Sequence, residues 1–261
     1  MQILFRKTIT EEEEFNVAHK YFDVVEHRTD CHDKIIIGRY SVLPYYKELE
    51  KDLNNYDCYL INTYKQHHWI ANFDWYSLLS QYTPKTYFSE EEVIKNYSGP
   101  LVIKGRTNSR KHQWNTHMFA NNISEMYNVA KNLRNDSLLC YQPLIFREYV
   151  PLEIFERGIN ELPFSNEWRF FFYKHTLIDY GYYWSIAEQI PTHIDSGGID
   201  FAQMVANKVA KYVDFFVIDI AKTANGNWIV IELNDGQMSG LSTINYDNFY
   251  SSLHNKLLSY L

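Results

Sequence analysis

Apolar and polar positions recur along this chain with two periods, and the switches between them mark its elements. Residues 215–222 (FFVIDIAK) and 228–235 (WIVIELND) are rich in Ile, Val and Phe and predict two strands. Asn225-Gly226 lies between them, and Asn-Gly between apolar runs signals a hairpin because both residues tolerate positive φ. Elsewhere the spacing is helical. Phe119, Ile123, Met126, Ala130 and Leu133 keep a helical period, as do Phe201, Val205 and Val209 after Gly197-Gly198 and Asp200. Residues 246–261 predict a closing amphipathic helix.

The first third alternates short strands with helices. Gln2 to Phe5 predicts a strand, and Thr10 with Glu13 forms a capping box at the start of a helix. A strand over 34–38, a helix over 44–55 and a strand over 57–62 follow; a second capping box, Ser89 with Glu92, opens a helix ending near Tyr97. This alternation predicts a small parallel α/β domain over residues 1–97. The first hundred residues contain Gly38 and Gly99 as their only glycines and no Gly-x-Gly-x-x-Gly, which argues against dinucleotide binding. Ser98-Gly99-Pro100 then punctuates the chain. Beyond it come a strand (101–105), a basic loop (106–112), the helix around Ile123, a strand (138–150), a loop to Asn166, and paired strands (168–173 and 177–184). We therefore expect a second domain over 98–261, with lobes at 98–150 and 151–261.

Bulk properties narrow the function. The 261 residues are 46% hydrophobic, enough for one large or two smaller cores. A net charge of −7 argues against sequence-independent nucleic-acid binding, which needs clustered Lys and Arg. Cys31, Cys58 and Cys140 are far apart and form no Cys-x-x-Cys pair, as in a reducing compartment. No apolar run is long enough to span a membrane and no signal peptide opens the chain, so a cytoplasmic location is expected. The many Tyr, Asn, Lys and Ile residues suggest an AT-rich genome such as that of a phage.

Chemistry concentrates at the 215–235 hairpin. Folding at Asn225-Gly226 brings Asp219 level with Glu232 and Asn234, and the last two share a face because strand side chains alternate. Two carboxylates and an amide offer three hard oxygens, the donor set Mg²⁺ prefers. Acidic residues at strand ends are often merely solvated. Here, however, Val217, Ile218, Ile220, Ile231 and Leu233 surround them, and burying a carboxylate among such neighbours is costly without a compensating cation or donor. A nucleoside triphosphate is the ligand this implies.

That pattern resembles the ATP-grasp superfamily, an α+β fold in which two lobes sandwich ATP behind a small α/β domain. In D-alanine–D-alanine ligase and its relatives an Asp on one strand and a Glu-x-Asn on the next bind magnesium. Asp219, Glu232 and Asn234 match, and the ending from Ile231 to Leu241 is similar to a phage and bacterial clade named for two arginines and a lysine. The resemblance implies that Lys104, at a strand end, contacts the α- and β-phosphates and that Lys111 joins from the covering loop. Glu148 would accept from the adenine amino group, with the Tyr149-Val150 backbone on the ring edge. Glu167 would take the ribose hydroxyls, Glu153 and Glu156 being weaker candidates. Arg169 would bind the γ-phosphate and an acyl phosphate, and Arg147 a phosphate or a substrate carboxylate. The covering loop departs from the family in having one glycine, Gly105, which shifts phosphate binding toward side chains; Arg106 and Arg110 there read equally well as ligands or as solvated charges.

The implied activity is an ATP- and Mg-dependent carboxylate–amine ligase, acting on a small molecule or peptide through an acyl phosphate. A phosphotransferase on the same fold and a non-enzymatic nucleotide-binding module are the alternatives. Arg39, after a strand, is placed to meet a substrate carboxylate, whereas His67-His68 reads as a surface pair in a polar loop.

Overall fold

A computed structural model describes residues 1–6, 11–39, 45–158 and 162–260. The expected Thr10 cap and the helix start at Pro44 lie outside them. β1 (Gln2–Phe5), β2 (Asp23–Val25), β3 (Ile35–Arg39) and β4 (Tyr59–Leu60) form a parallel sheet in the order β2-β1-β3-β4. Helices α1 (Glu12–Ala18) and α2 (Tyr46–Asn54) belong to this unit. Ile3 and Ile37 are buried on one face, Leu4 and Ile36 on the other, as parallel strands covered on both sides require.

The stretch around His67-His68 is helical rather than the expected loop: it lies in α3 (Tyr64–Ala71), which α4 (Tyr76–Leu79) follows. Thr63 and Gln66 make the capping box that starts α3. His67 is therefore a buried helix residue, not half of a surface pair; His68 alone borders a surface cavity.

The next lobe is an antiparallel sheet in the order β5-β8-β6-β7. Its strands are β5 (Thr86–Tyr87), β6 (Leu101–Gly105), β7 (Phe119–Ala120) and β8 (Leu144–Glu148). Helices α5 (Glu90–Asn96), α6 (Trp114–His117) and α7 (Ile123–Arg134) accompany them. Because β5 pairs with β8, this sheet begins before residue 98, ahead of the Ser98-Gly99-Pro100 punctuation. A small hairpin, β9 (Ile154–Arg157) with β10 (Pro163–Ser165), occupies the stretch expected to be a loop.

The last lobe carries β11 (Glu167–Tyr173), β12 (Thr176–Tyr182), β13 (Phe215–Lys222) and β14 (Trp228–Asp235), ordered β12-β11-β13-β14. Helices α8 (Ser196–Val209) and α9 (Tyr246–Leu258) complete it. The β13–β14 hairpin forms as the sequence predicts, but its loop spans 223–227, and only Gly226 of the Asn-Gly pair takes a positive φ, +85°.

Strand alternation gives this sheet two different faces. Phe170, Phe172, Phe216, Ile218, Ile220 and Leu233 join the core with Val205 and Val209 of α8. On the opposite face, Phe171, Tyr173, Phe215 and Val217 pack with α9 and with Ile3 and Ile37 of the first sheet. Further along that second face the apolar residues give way to Glu167, Arg169 and Asp219. The site begins there.

Candidate active site

Cross-strand register builds the site. Arg169 pairs with Asp219, and Asp219 with Glu232, so three charged side chains lie side by side on one face. Arg169 donates from Nε and Nη2 to the two oxygens of Asp219, both at 2.8 Å, and from Nη1 to the Gly240 carbonyl at 2.8 Å. Asp219 is fully buried, and this fork is what compensates its charge. Burial works against the Arg169 guanidinium, but Asp219 outweighs it and raises its pKa. Asn234, two residues beyond Glu232, shares that face and is half-buried, as is Glu232.

A bulge shapes the acidic end. Register shifts between Asp219 and Ile220, leaving Ile231 outside the regular pairing. Its carbonyl accepts from Arg147 Nη1 at 2.5 Å, and Arg147 also donates to the hydroxyls of Thr83 and Thr86. Burial without a carboxylate partner in hydrogen-bond reach among the described residues lowers the Arg147 pKa to about 10. Arg147 thus lines the cleft while holding the bulge beside Glu232.

The facing lobe supplies the remaining cations. Lys104, buried near the end of β6, reaches Glu232 across the cleft. Burial lowers the Lys104 pKa, reinforced by the positive charges of Arg147 and Lys111. Lys111 lies 3.5 Å from Glu167 and 3.8 Å from the centre of the Tyr183 ring, with Trp184 on another side at 5.0 Å. Burial opposes the Lys111 ammonium, yet Glu167 and Tyr183 prevail and raise its pKa, while burial raises that of Glu167. Tyr183 also lies under Arg169, at 4.8 Å, so one ring faces two cations.

An apolar slot adjoins these charges, lined by Val102, Met118, Tyr149, Val150, Leu152 and Trp184 together with Glu148. Glu148 accepts from Tyr87 at 2.7 Å and lies 3.7 Å from Lys85. Glu153 and Glu156 lie apart from this constellation: Glu153 accepts from Asn166, and Glu156 from the Glu188 and Gln189 amides.

Three basic residues have structural partners. Arg110 forks onto Asp136, both contacts 2.7 Å, and this bond holds the Asp136 carboxyl at a pKa of about 2. Arg106 bonds Asn72 beside the Phe88 ring. Arg39 does not face a substrate: Glu14 takes its Nη2 at 2.6 Å, and the Gly236, Gln237 and Ser239 carbonyls take its Nη1. Arg39 is thus not placed to meet a substrate carboxylate as its position after a strand suggests, because that strand end is closed by the segment after β14.

The donor set fits a hard divalent ion. Asp219 and Glu232 are adjacent, Asn234 adds an amide on the same face, and both carboxylates already draw a positive charge toward this spot. Of the residues that matter here, Tyr183, Trp184, Thr83, Thr86 and Tyr87 escaped the sequence reading. Each acts through a contact distant in sequence, and none belongs to a motif.

A family model for an ATP-grasp domain, family 3 of the clade named for two arginines and a lysine, matches residues 93–253. The chain belongs to this family. Its ATP-grasp fold is similar to that of D-cycloserine synthetase DcsG, at a TM-score of 0.63 and 12% identity over 98% of this chain and 99% of that one. It is also similar to D-alanine–D-alanine ligase from Bacillus anthracis complexed with ATP, at 0.62 and 9% over 99% and 96%. The ATP-grasp ligase PsnB, complexed with a minimal precursor, gives 0.59 and 12% over 100% and 99%. No curated protein sequence matches the chain. No described helix is long and apolar enough to cross a membrane. Within this ATP-grasp frame the apolar slot is lined by residues of β6, β8 and β14, and the Lys104–Glu232 and Lys111–Glu167 pairs are part of that lining.

Proposed function

We propose that the chain is an ATP- and Mg-dependent ligase joining a carboxylate to an amine through an acyl phosphate. The observation that carries this reading is the meeting of Lys104 with Glu232 and of Lys111 with Glu167 in the lining of an apolar slot, with the Arg169–Asp219 pair next to Glu232 in the same sheet. The structural neighbours include a D-cycloserine synthetase, a D-alanine–D-alanine ligase and an ATP-grasp ligase complexed with a minimal precursor, which supports amide-forming chemistry on small molecules or peptides.

In this reading adenine enters the slot, with Glu148 and the Tyr149-Val150 backbone on its edge and Glu167 on the ribose. Three of the cations in the site each hold a carboxylate: Lys104 meets Glu232, Lys111 meets Glu167 and Arg169 meets Asp219. Binding therefore exchanges partners: Lys104 and Lys111 turn from Glu232 and Glu167 to phosphate oxygens. Mg²⁺, when bound by Asp219, Glu232 and Asn234, would neutralise and orient the phosphate oxygens. Arg169 keeps a guanidinium beside the transferring group, and Arg147 adds positive potential while fixing the bulge. Phosphate transfer to the substrate carboxylate yields an acyl phosphate, and amine attack then expels phosphate. No protein nucleophile is required; positioning and charge neutralisation carry the rate.

An ADP-release screen across amino acids, short peptides and polyamines, with hydroxylamine added, tests this. A hydroxamate of the active substrate is expected. A stable phosphorylated product would instead make the chain a phosphotransferase, and binding without turnover would make it a nucleotide-binding module.

A further inference from the structure

The first domain reaches into the ATP-grasp lobe through a buried polar network that the chemistry above does not use. Asn62, with no exposed surface, brackets the open ends of β13 and β14. Its amide donates to the Phe215 carbonyl at 2.6 Å and to Asp235 Oδ1 at 2.9 Å, and its oxygen accepts from the Phe215 amide at 2.9 Å. His67 Nδ1 lies 3.1 Å from the other oxygen of Asp235; a carboxylate accepts, so the hydrogen is on Nδ1. Tyr46 stacks on His67 with ring centres 4.0 Å apart, and its hydroxyl donates to the Asn62 carbonyl at 2.6 Å. Gln237 closes the network, donating to Tyr46 at 2.7 Å and accepting from the Gly38 amide at 3.0 Å.

Asp235 directly follows Asn234, and it pairs with Phe216 in the ladder. A one-residue slip of β14 would turn Asn234 and Glu232 to the opposite face. The bulge at Ile231 offsets the pairing by one residue just before Glu232, so the two halves of the strand are aligned separately and the half carrying Glu232 and Asn234 is held at its far end by Asp235. We propose that Asn62 and His67 are positioning residues, which lock β14 from the first domain so that Glu232 and Asn234 present their oxygens together. The proposal rests on the metal reading of the hairpin.

The test uses the full chain with ADP, Mn²⁺ as the probe and electron paramagnetic resonance as the readout. His67→Phe keeps a ring against Tyr46 and removes the donor. It is expected to raise the Mn²⁺ half-saturation about tenfold, the effect of losing one hydrogen bond to a charged group. Metal-free ADP binding should stay within about twofold, and His67→Gln, which restores a donor, should recover most of the loss. Should His67→Phe fail to fold, Tyr46→Phe, which deletes only the hydroxyl, is expected to shift Mn²⁺ by about threefold in the same direction. An unchanged Mn²⁺ half-saturation, equal weakening of metal-free ADP binding, or no rescue by glutamine would overturn the proposal. Glu232→Gln separates the two readings. If it leaves Mn²⁺ binding intact, the metal site itself is wrong; if it abolishes binding while His67→Phe does not alter it, only the positioning role fails.

Discussion

The β13–β14 hairpin and the loop between β6 and α6 reach the same cleft by different means. In the hairpin, Asp219 and Glu232 meet because they are ladder partners, and their setting is local: a turn, a bulge and the alternation of side chains. The loop owes its course to distant partners. Gly105 allows close packing, since a Cβ there would lie 2.6 Å from Gln142 and 2.9 Å from Leu139. Arg110 is tied to Asp136, Arg106 to Asn72, and Lys111 to Glu167 and Tyr183. The hairpin sets the pairing of Asp219 with Glu232 in its own sequence and is held from outside at its bulge and its open end, whereas this loop takes its course from four other segments, around Asn72, Asp136, Glu167 and Tyr183. Substitutions should therefore act all-or-none in the hairpin and by degrees in the loop.

The largest effect is expected from Glu232→Gln, which should lower ATP turnover about a thousandfold or more, measured by ADP release, since it removes charge where phosphate is transferred. Folding should survive, because Lys104 is already biased toward losing its proton when its partner goes. Asp219→Asn is a different case. It strands the buried Arg169, which cannot deprotonate, and should cost about 3–5 kcal/mol of stability in denaturant titration.

In the loop, Lys111→Ala should raise KM for ATP about tenfold with a smaller loss of kcat, read from steady-state kinetics. Asp136→Asn should cost about 1 kcal/mol at neutral pH, given the partial exposure of its Arg110 pair. The sign follows from the lowered carboxyl pKa, about 2 against an ordinary 3.8. Stability from this pair is full above the ordinary value and is lost as pH falls through the folded one. The difference between wild type and Asp136→Asn should therefore shrink between roughly pH 4 and pH 2 in acid unfolding curves.

The same contrast explains what the sequence made legible. The hairpin residues, Lys104 at a strand end and Glu148 beside the slot could be read because short-range periodicity or a compact motif places them. The parallel first sheet was legible for the same reason. His67 was not, because whether Thr63 and Gln66 cap a helix or sit in a loop depends on what that helix packs against. Arg39 misled because a strand end that would open onto a ligand is here closed by Gly236 to Ser239, residues about 200 positions away. Tyr183, Thr83 and Thr86 gave no signal, since only tertiary structure brings them to Lys111 and Arg147.

The most direct test is a crystal structure with Mg²⁺ and a non-hydrolysable ATP analogue. The ion is expected about 2.1 Å from oxygens of Asp219, Glu232 and Asn234, with Lys104 released from Glu232 and turned to the phosphates. An ion bound elsewhere, with the Lys104–Glu232 pair still closed, would contradict the account.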